Sequence, residues 1–207
     1  MMKIEGEFTF QGARERVWEL LQDPEVLAQT LPGTEKLEKT GEDQYESAMR
    51  VQVGPVNGVF SCKVTLKDKQ PPERYTMLVD SKGAQGFANG AAQVELAAQS
   101  ANSTLMKYQA ELQVGGRLAG VGQRLLDTVG RSMTRQALEA LNQALQARIA
   151  GDSPAAQTYT APTQAEFARA VAKDVLRESF RSRPAVWIGA GVVIIIFLAW
   201  IILSTIN

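Results

Sequence analysis

The chain has 207 residues with 22 basic and 22 acidic side chains, hence no net charge, and residues 1–150 hold no dense Lys/Arg run interleaved with aromatics, so nucleic-acid binding has no electrostatic footprint. It contains no histidine, which excludes imidazole acid–base catalysis and histidine–metal sites. The one cysteine, Cys62, cannot form an internal disulfide, in agreement with a reducing compartment.

The N-terminal MMKIEGEFTF has no apolar h-region and carries Glu5 and Glu7, so it does not read as a secretory signal. Residues 3–10 alternate as a strand does, and Ala13 to Gln22 place Val17, Trp18, Leu20 and Leu21 on a helical face. A second short helix is expected from Asp23-Pro24, an N-cap followed by proline at the first helical position, ending at the breaker Leu31-Pro32-Gly33. Five strand-like runs follow, the last a hairpin: 34–40, 44–54, 57–69, 73–82 and the pair 86–98 and 103–114. Gly41, Gly54-Pro55, Asn57-Gly58, Pro71-Pro72, Gly83 and Asn102 punctuate them. From Val121 to Ile149 the period changes, with Val121, Leu125, Val129 and Met133 recurring every four residues as in one long amphipathic helix. This order predicts an α+β domain over 1–150, an antiparallel sheet with helices segregated onto it.

Residues 151–164 contain two prolines and small polar side chains without periodicity and read as a flexible linker. Residues 165–183 are helical in pattern, with Phe167, Val171, Val175 and Phe180 near one face and Arg169, Lys173, Arg177 and Arg181 on another. That amphipathic juxtamembrane helix either lies on anionic lipid or extends the next segment into water. Residues 184–203 hold no charged side chain; twenty residues at about 1.5 Å each span roughly 30 Å, the thickness of a bilayer's hydrocarbon core. Trp187 and Trp200 suit its two interfaces, and Arg177, Arg181 and Arg183 just before it keep the N-terminal side cytoplasmic. The expectation is a single-pass cell-membrane protein with a C-terminal tail anchor.

Strand alternation selects the side chains facing the long helix: Tyr45, Met49, Val51 and Val53; Phe60, Cys62, Val64 and Leu66; Tyr75, Met77 and Val79; Met106, Tyr108, Ala110, Leu112 and Val114. Gly86, Ala88, Gly90 and Ala92 fall on the same face and leave volume there. Either the backbone of the last helix packs closely against them, or an apolar ligand occupies the room. The residues expected to line such a cavity are Trp18, Leu27, Met49, Val51, Val53, Phe60, Cys62, Val64, Tyr75, Met77, Val79, Phe87, Met106, Tyr108, Leu118, Val121, Leu125, Leu126 and Val129. Tyr75 or Tyr108 would donate a hydrogen bond to a guest, or be core with its hydroxyl at the rim, and Arg117 is a further polar candidate or a solvated side chain. No catalytic residues emerge: Cys62 reads as a small core residue, and the carboxylates lie on the polar phase. The glycine-rich run 115–122 opens a helix but lacks the G-x-G-x-x-G order, so it reads as a tight joint rather than a phosphate cradle.

The stretches VQVGPVNGVFSCKVTL (51–66), PPERYTMLVDSKGAQGFANGAAQVEL (71–96) and VGGRLAGVGQRLLD (114–127), with Leu31-Pro32-Gly33, resemble the carbon monoxide dehydrogenase CoxG family over residues 1–150. The resemblance implies the START-like (SRPBCC) helix-grip fold, a curved antiparallel sheet around a long C-terminal helix with an apolar cavity between them. It also implies a partner, the molybdenum-containing carbon monoxide dehydrogenase, recruited to the cytoplasmic membrane; with no catalytic residues found, the chain is expected not to be an enzyme. In that setting the expected guest is menaquinone or another respiratory quinone, held non-covalently and without metal. A pure recruiter with a closed core, or a carrier of another lipid, are the competing expectations.

Overall fold

The computed structural model describes residues 1–151. The linker from residue 152, the juxtamembrane helix and the span at 184–203 expected from the sequence lie outside them. Among the described residues no helix is long and apolar enough to cross a membrane.

The alternating segments form seven strands: β1 (Met2–Phe10), β2 (Thr34–Gly41), β3 (Gln44–Val53), β4 (Val56–Gln70), β5 (Arg74–Gly83), β6 (Gly86–Ser100) and β7 (Ser103–Gly115). They make one antiparallel sheet in the order β1-β7-β6-β5-β4-β3-β2. Six strands follow one another as a meander; β1 alone pairs out of sequence, with β7. Two short helices, α1 (Arg14–Leu20) and α2 (Pro24–Thr30), run between the edge strands β1 and β2, and α3 (Gln123–Ile149) is the long C-terminal helix. Its nearest neighbours include β1, β3, α1 and α2, so the sheet curls round it.

Two sequence expectations are corrected. Asn57-Gly58 is not a turn: both residues sit in the β3–β4 ladder opposite Gln52 and Val51, and the Val53–Val56 pair leaves only Gly54-Pro55 for the loop. The last helix does not begin at Val121; Gly116–Val121 form a separate 3-10 turn, and α3 starts after Gly122, whose φ of +93° no α-helix accommodates.

The outward face is wet and ion-paired across strands, as in Lys3–Glu111 (2.6 Å) and Lys63–Glu46 (2.9 Å), exposed pairs that contribute little. Stability comes from the concave side, where Phe10 and Val17 are fully buried and Leu20, Leu141 and Leu145 nearly so; each such leucine stabilises the fold by about 1.5–3 kcal/mol. Gly130 lets α3 settle on β1, since a methyl there would meet the side-chain ends of Met2 and Ile4.

One carboxylate fastens both ends of the helical layer. Asp23 caps α2, accepting from the backbone N–H of Glu25 (2.9 Å) and Val26 (3.2 Å), and takes Arg148 from the last turn of α3 at 2.6 Å. Partial burial works to raise its pKa, but the Arg148 guanidinium and the two N–H groups outweigh it and hold the carboxyl below its ordinary value. Its contribution is therefore present above the unfolded carboxyl pKa and lost as pH falls through the folded one. Asp23→Ala is expected to cost about 1–2 kcal/mol at pH 7 in urea unfolding followed by circular dichroism, and the difference from wild type is expected to shrink below about pH 4.

Candidate functional site

The concave side holds two apolar clusters rather than one continuous core. The first, under α1, α2 and the C-terminal half of α3, contains Trp18, Tyr75 and Met106 together with Phe10, Leu20, Val94, Leu138, Leu141 and Leu145; Leu27, Val64, Met77 and Tyr108 pack against it. Trp18 meets Tyr75 edge-on with ring centroids 5.4 Å apart. The second, at the other end, contains Val53, Phe60, Cys62, Leu118, Leu126 and Val129, with Met49, Val51, Val121, Leu125 and again Tyr108 against it. Tyr108 is the aromatic side chain that touches both.

Between the clusters the concave face is floored by small residues. Val79 lies between Val64 on β4 and Gly90 on β6; Ala92 lies between Met77 and Ala110. Val79, Ala88, Gly90 and Ala92 are half-buried and belong to neither cluster. The glycine here is explained by the sheet: a methyl on Gly90 would run into the carbonyl oxygen of Glu111 on β7, so the requirement comes from strand curvature and not from the long helix. The close helix packing that the sequence left open is not what fixes Gly90. These positions form a strip of small, half-buried residues across the middle of the sheet, between two sets of large apolar side chains, and this strip we term the trough.

Of the nineteen sequence-predicted residues, seventeen belong to or pack against one of the two clusters, Val79 lies on the strip between them, and Phe87 is on the other face. It pairs with Lys82 and Gly115 and so lies on the opposite phase from Ala88, Gly90 and Ala92, on the outward face, against which a methyl on Gly115 would collide. Strand alternation puts Phe87 and Ala88 on opposite faces, and the apolar character of Phe87 misdirects the reading. Sequence reasoning passed over Ser81, only 8% exposed, whose hydroxyl lies 3.0 Å from the Cys62 sulfur. The signal was present, because Ser81 continues the Tyr75, Met77, Val79 phase. Cys62 is thus a buried core thiol donating to Ser81.

The tyrosines differ in what their hydroxyls do. Tyr45 donates to the Gln22 carbonyl at 3.1 Å. The Tyr75 and Tyr108 hydroxyls have no hydrogen-bond partner among the described residues, although Tyr75 is only 5% exposed. Burial pushes all three phenols up, so each is a donor at neutral pH. Arg117 is exposed on the 3-10 turn. Among the described residues no group of three or more Cys, Asp or Glu is placed to hold a metal ion. Concavities on the outward side are lined by polar and charged groups such as Glu5, Glu7, Glu95 and Lys107, unsuited to an apolar guest.

A curved antiparallel sheet gripping a long C-terminal helix over an apolar interior defines the START-like class. Similar solved structures include a conserved protein from Geobacillus kaustophilus, 28% identical over 70% of this chain and 95% of that one, with a TM-score of 0.67. A START superfamily protein from Mycobacterium smegmatis is 10% identical over 70% of this chain and 98% of that one, TM-score 0.55, and an aromatase/cyclase from a Streptomyces species is 17% identical over 73% and 98%, TM-score 0.56; these two show the fold alone. The chain belongs to the carbon monoxide dehydrogenase CoxG family, whose profile matches residues 6–146. No curated protein matches it.

The trough and the strand make opposite demands at neighbouring positions. Ala92→Leu, pointing into the trough, is expected to change stability by less than about 1 kcal/mol, whereas Gly90→Ala, pointing at the β7 backbone, is expected to cost about 1–3 kcal/mol, both measured by urea unfolding. A large loss for Ala92→Leu would mean that the middle of the concave side is a filled core.

Proposed function

We propose that this protein binds menaquinone or another respiratory quinone in the trough, and that it recruits carbon monoxide dehydrogenase to the cytoplasmic membrane and links it to the quinone pool. The observation that supports this most directly is the small-residue floor of Val79, Ala88, Gly90 and Ala92 between two walls of large apolar side chains. A flat aromatic headgroup with an isoprenoid tail suits such a space, which offers apolar contact and few polar groups. The Tyr75 and Tyr108 hydroxyls are protonated donors without partners among the described residues, the feature a quinone carbonyl would use. The partner is drawn from the family to which the chain belongs. In this reading the chain is a binding protein and performs no catalytic step of its own.

The apolar segment at 184–203 anchors the chain, with the domain on the cytoplasmic side, and raises its effective concentration at the bilayer. In this reading the 14-residue linker 151–164 reaches at most about 50 Å if fully extended, which lets the domain present its trough to the bilayer and to the enzyme in turn.

Lipid extraction and mass spectrometry of the full-length protein purified in mild detergent, beside a chain ending at Gly151, is expected to find stoichiometric quinone in both. Its absence from both, with the domain folded and taking up no added menaquinone, favours a recruiter with a closed core. Removal of residues 184–207 is expected to release the dehydrogenase from membranes in cell fractionation; unchanged association would sink the anchoring role.

A further inference from the structure

The two ends of the trough are closed in different ways. At the end beneath α1 and α2, the closure is made of Trp18, Leu20, Leu141 and Leu145, supported by the Asp23–Arg148 ion pair and by the Asn142 side chain accepting from the Gln11 N–H at 2.9 Å. These contacts join three helices to the sheet and leave no short segment that moves alone.

At the other end the closing piece is the 3-10 turn Gly116–Val121, which passes from the end of β7 to the start of α3 beside β4 and β6. It is bounded by glycines in the left-handed region, Gly116 at φ +71° and Gly122 at φ +93°. Within it Leu118 is buried in the second cluster, Val121 is half-buried, and Arg117, Ala119 and Gly120 are exposed. Its backbone tie to the rest of the domain, outside its own ends, is the Leu118 N–H donating to the Gln85 carbonyl at 2.9 Å. Gln85 itself belongs to the β5–β6 turn, and its side chain packs over Gly58 of β4. A six-residue segment flanked by positive-φ glycines and held by buried Leu118, half-buried Val121 and one backbone hydrogen bond is a unit that opens without disturbing the sheet.

We propose that Gly116–Val121 is the lid of the trough, and that an apolar ligand enters and leaves when this segment swings on Gly116 and Gly122 and withdraws Leu118 from the second cluster. The proposal rests on the reading of the trough as a quinone site. It places the portal at the start of α3, about 40 Å along a 27-residue helix from Ile149 at its other end. Ligand therefore passes at the end of the domain opposite the C-terminus of α3, and a domain taking quinone from a bilayer presents its glycine-rich end to the lipid.

The test locks the lid to its neighbour. Gln85→Cys and Ala119→Cys lie on either side of the Leu118–Gln85 contact and outside the lining residues; a short bifunctional maleimide joins them in the full chain in detergent, with monofunctional maleimide as control. Wild type treated alike controls for Cys62, which is buried. The readout is the rate at which menaquinone-4 exchanges between protein and micelles. The locked protein is expected to exchange in both directions at least about tenfold more slowly than the monoalkylated one. Equal rates in the two would overturn the lid while leaving the quinone reading intact. Failure of every form, including untreated wild type, to take up menaquinone-4 would overturn the quinone reading and the lid with it.

Discussion

The pairing of β1 with β7 is the constraint from which the rest of this domain follows. It joins residues about a hundred positions apart, Met2 beside Leu112 and Phe10 beside Thr104, and completes a seven-stranded sheet whose edges are two elements close in sequence. The chain leaving β1 must reach β2 at the far edge within some two dozen residues. It does so as α1 and α2, laid across one end of the concave face. The junction is fixed where β1 ends: Phe10 is fully buried, and the Thr104 hydroxyl donates to the Gly12 carbonyl at 2.7 Å. Such distant contacts must beat loop-closure entropy, and the buried apolar surface beneath α1 and α2 is what offsets it.

A sheet curled this far cannot be filled evenly by one helix. α3 meets β1 at one margin, through Gly130, and β3 near the other, so the central strands lie across from it with side chains supplying the contact. Large residues gather at the ends, into two clusters bridged by Tyr108, and small ones remain in the middle. The trough is thus a consequence of curvature, and Gly90 is the position where curvature and small size meet. The same geometry explains why the single thiol is inert core: Cys62 sits beside Ser81 beneath the second cluster.

The domain divides into a stiffly held end and a lightly held one. Helices, ion pair and buried leucines concentrate at the end that holds the C-terminus of α3. Glycines concentrate at the opposite end, where the β3–β4 loop, the β5–β6 loop and the 3-10 turn meet. Three of the segments that carry the family likeness, around residues 54–58, 83–90 and 115–122, contribute to that end.

Much of this was legible in the sequence. Period-two alternation located all seven strands and the inward face of β3, β4, β5, β6 and β7, the N-cap Asp23 with Pro24 located α2, and the four-residue repeat located α3. These are local signals: the pleat and the helical turn act over neighbours, so composition in a short window reports them. The same is true of the uncharged stretch at 184–203 and of the family likeness. What only the tertiary structure decided were the relations between distant residues. It split the interior into two clusters, turned Phe87 outward, moved Asn57-Gly58 into a ladder and detached the 3-10 turn from α3. It also assigned Gly90 to the β7 backbone. Each depends on sheet curvature and on partners dozens of residues away, and no window of sequence encodes curvature, because it is set by how all seven strands settle against one another and the helices they grip.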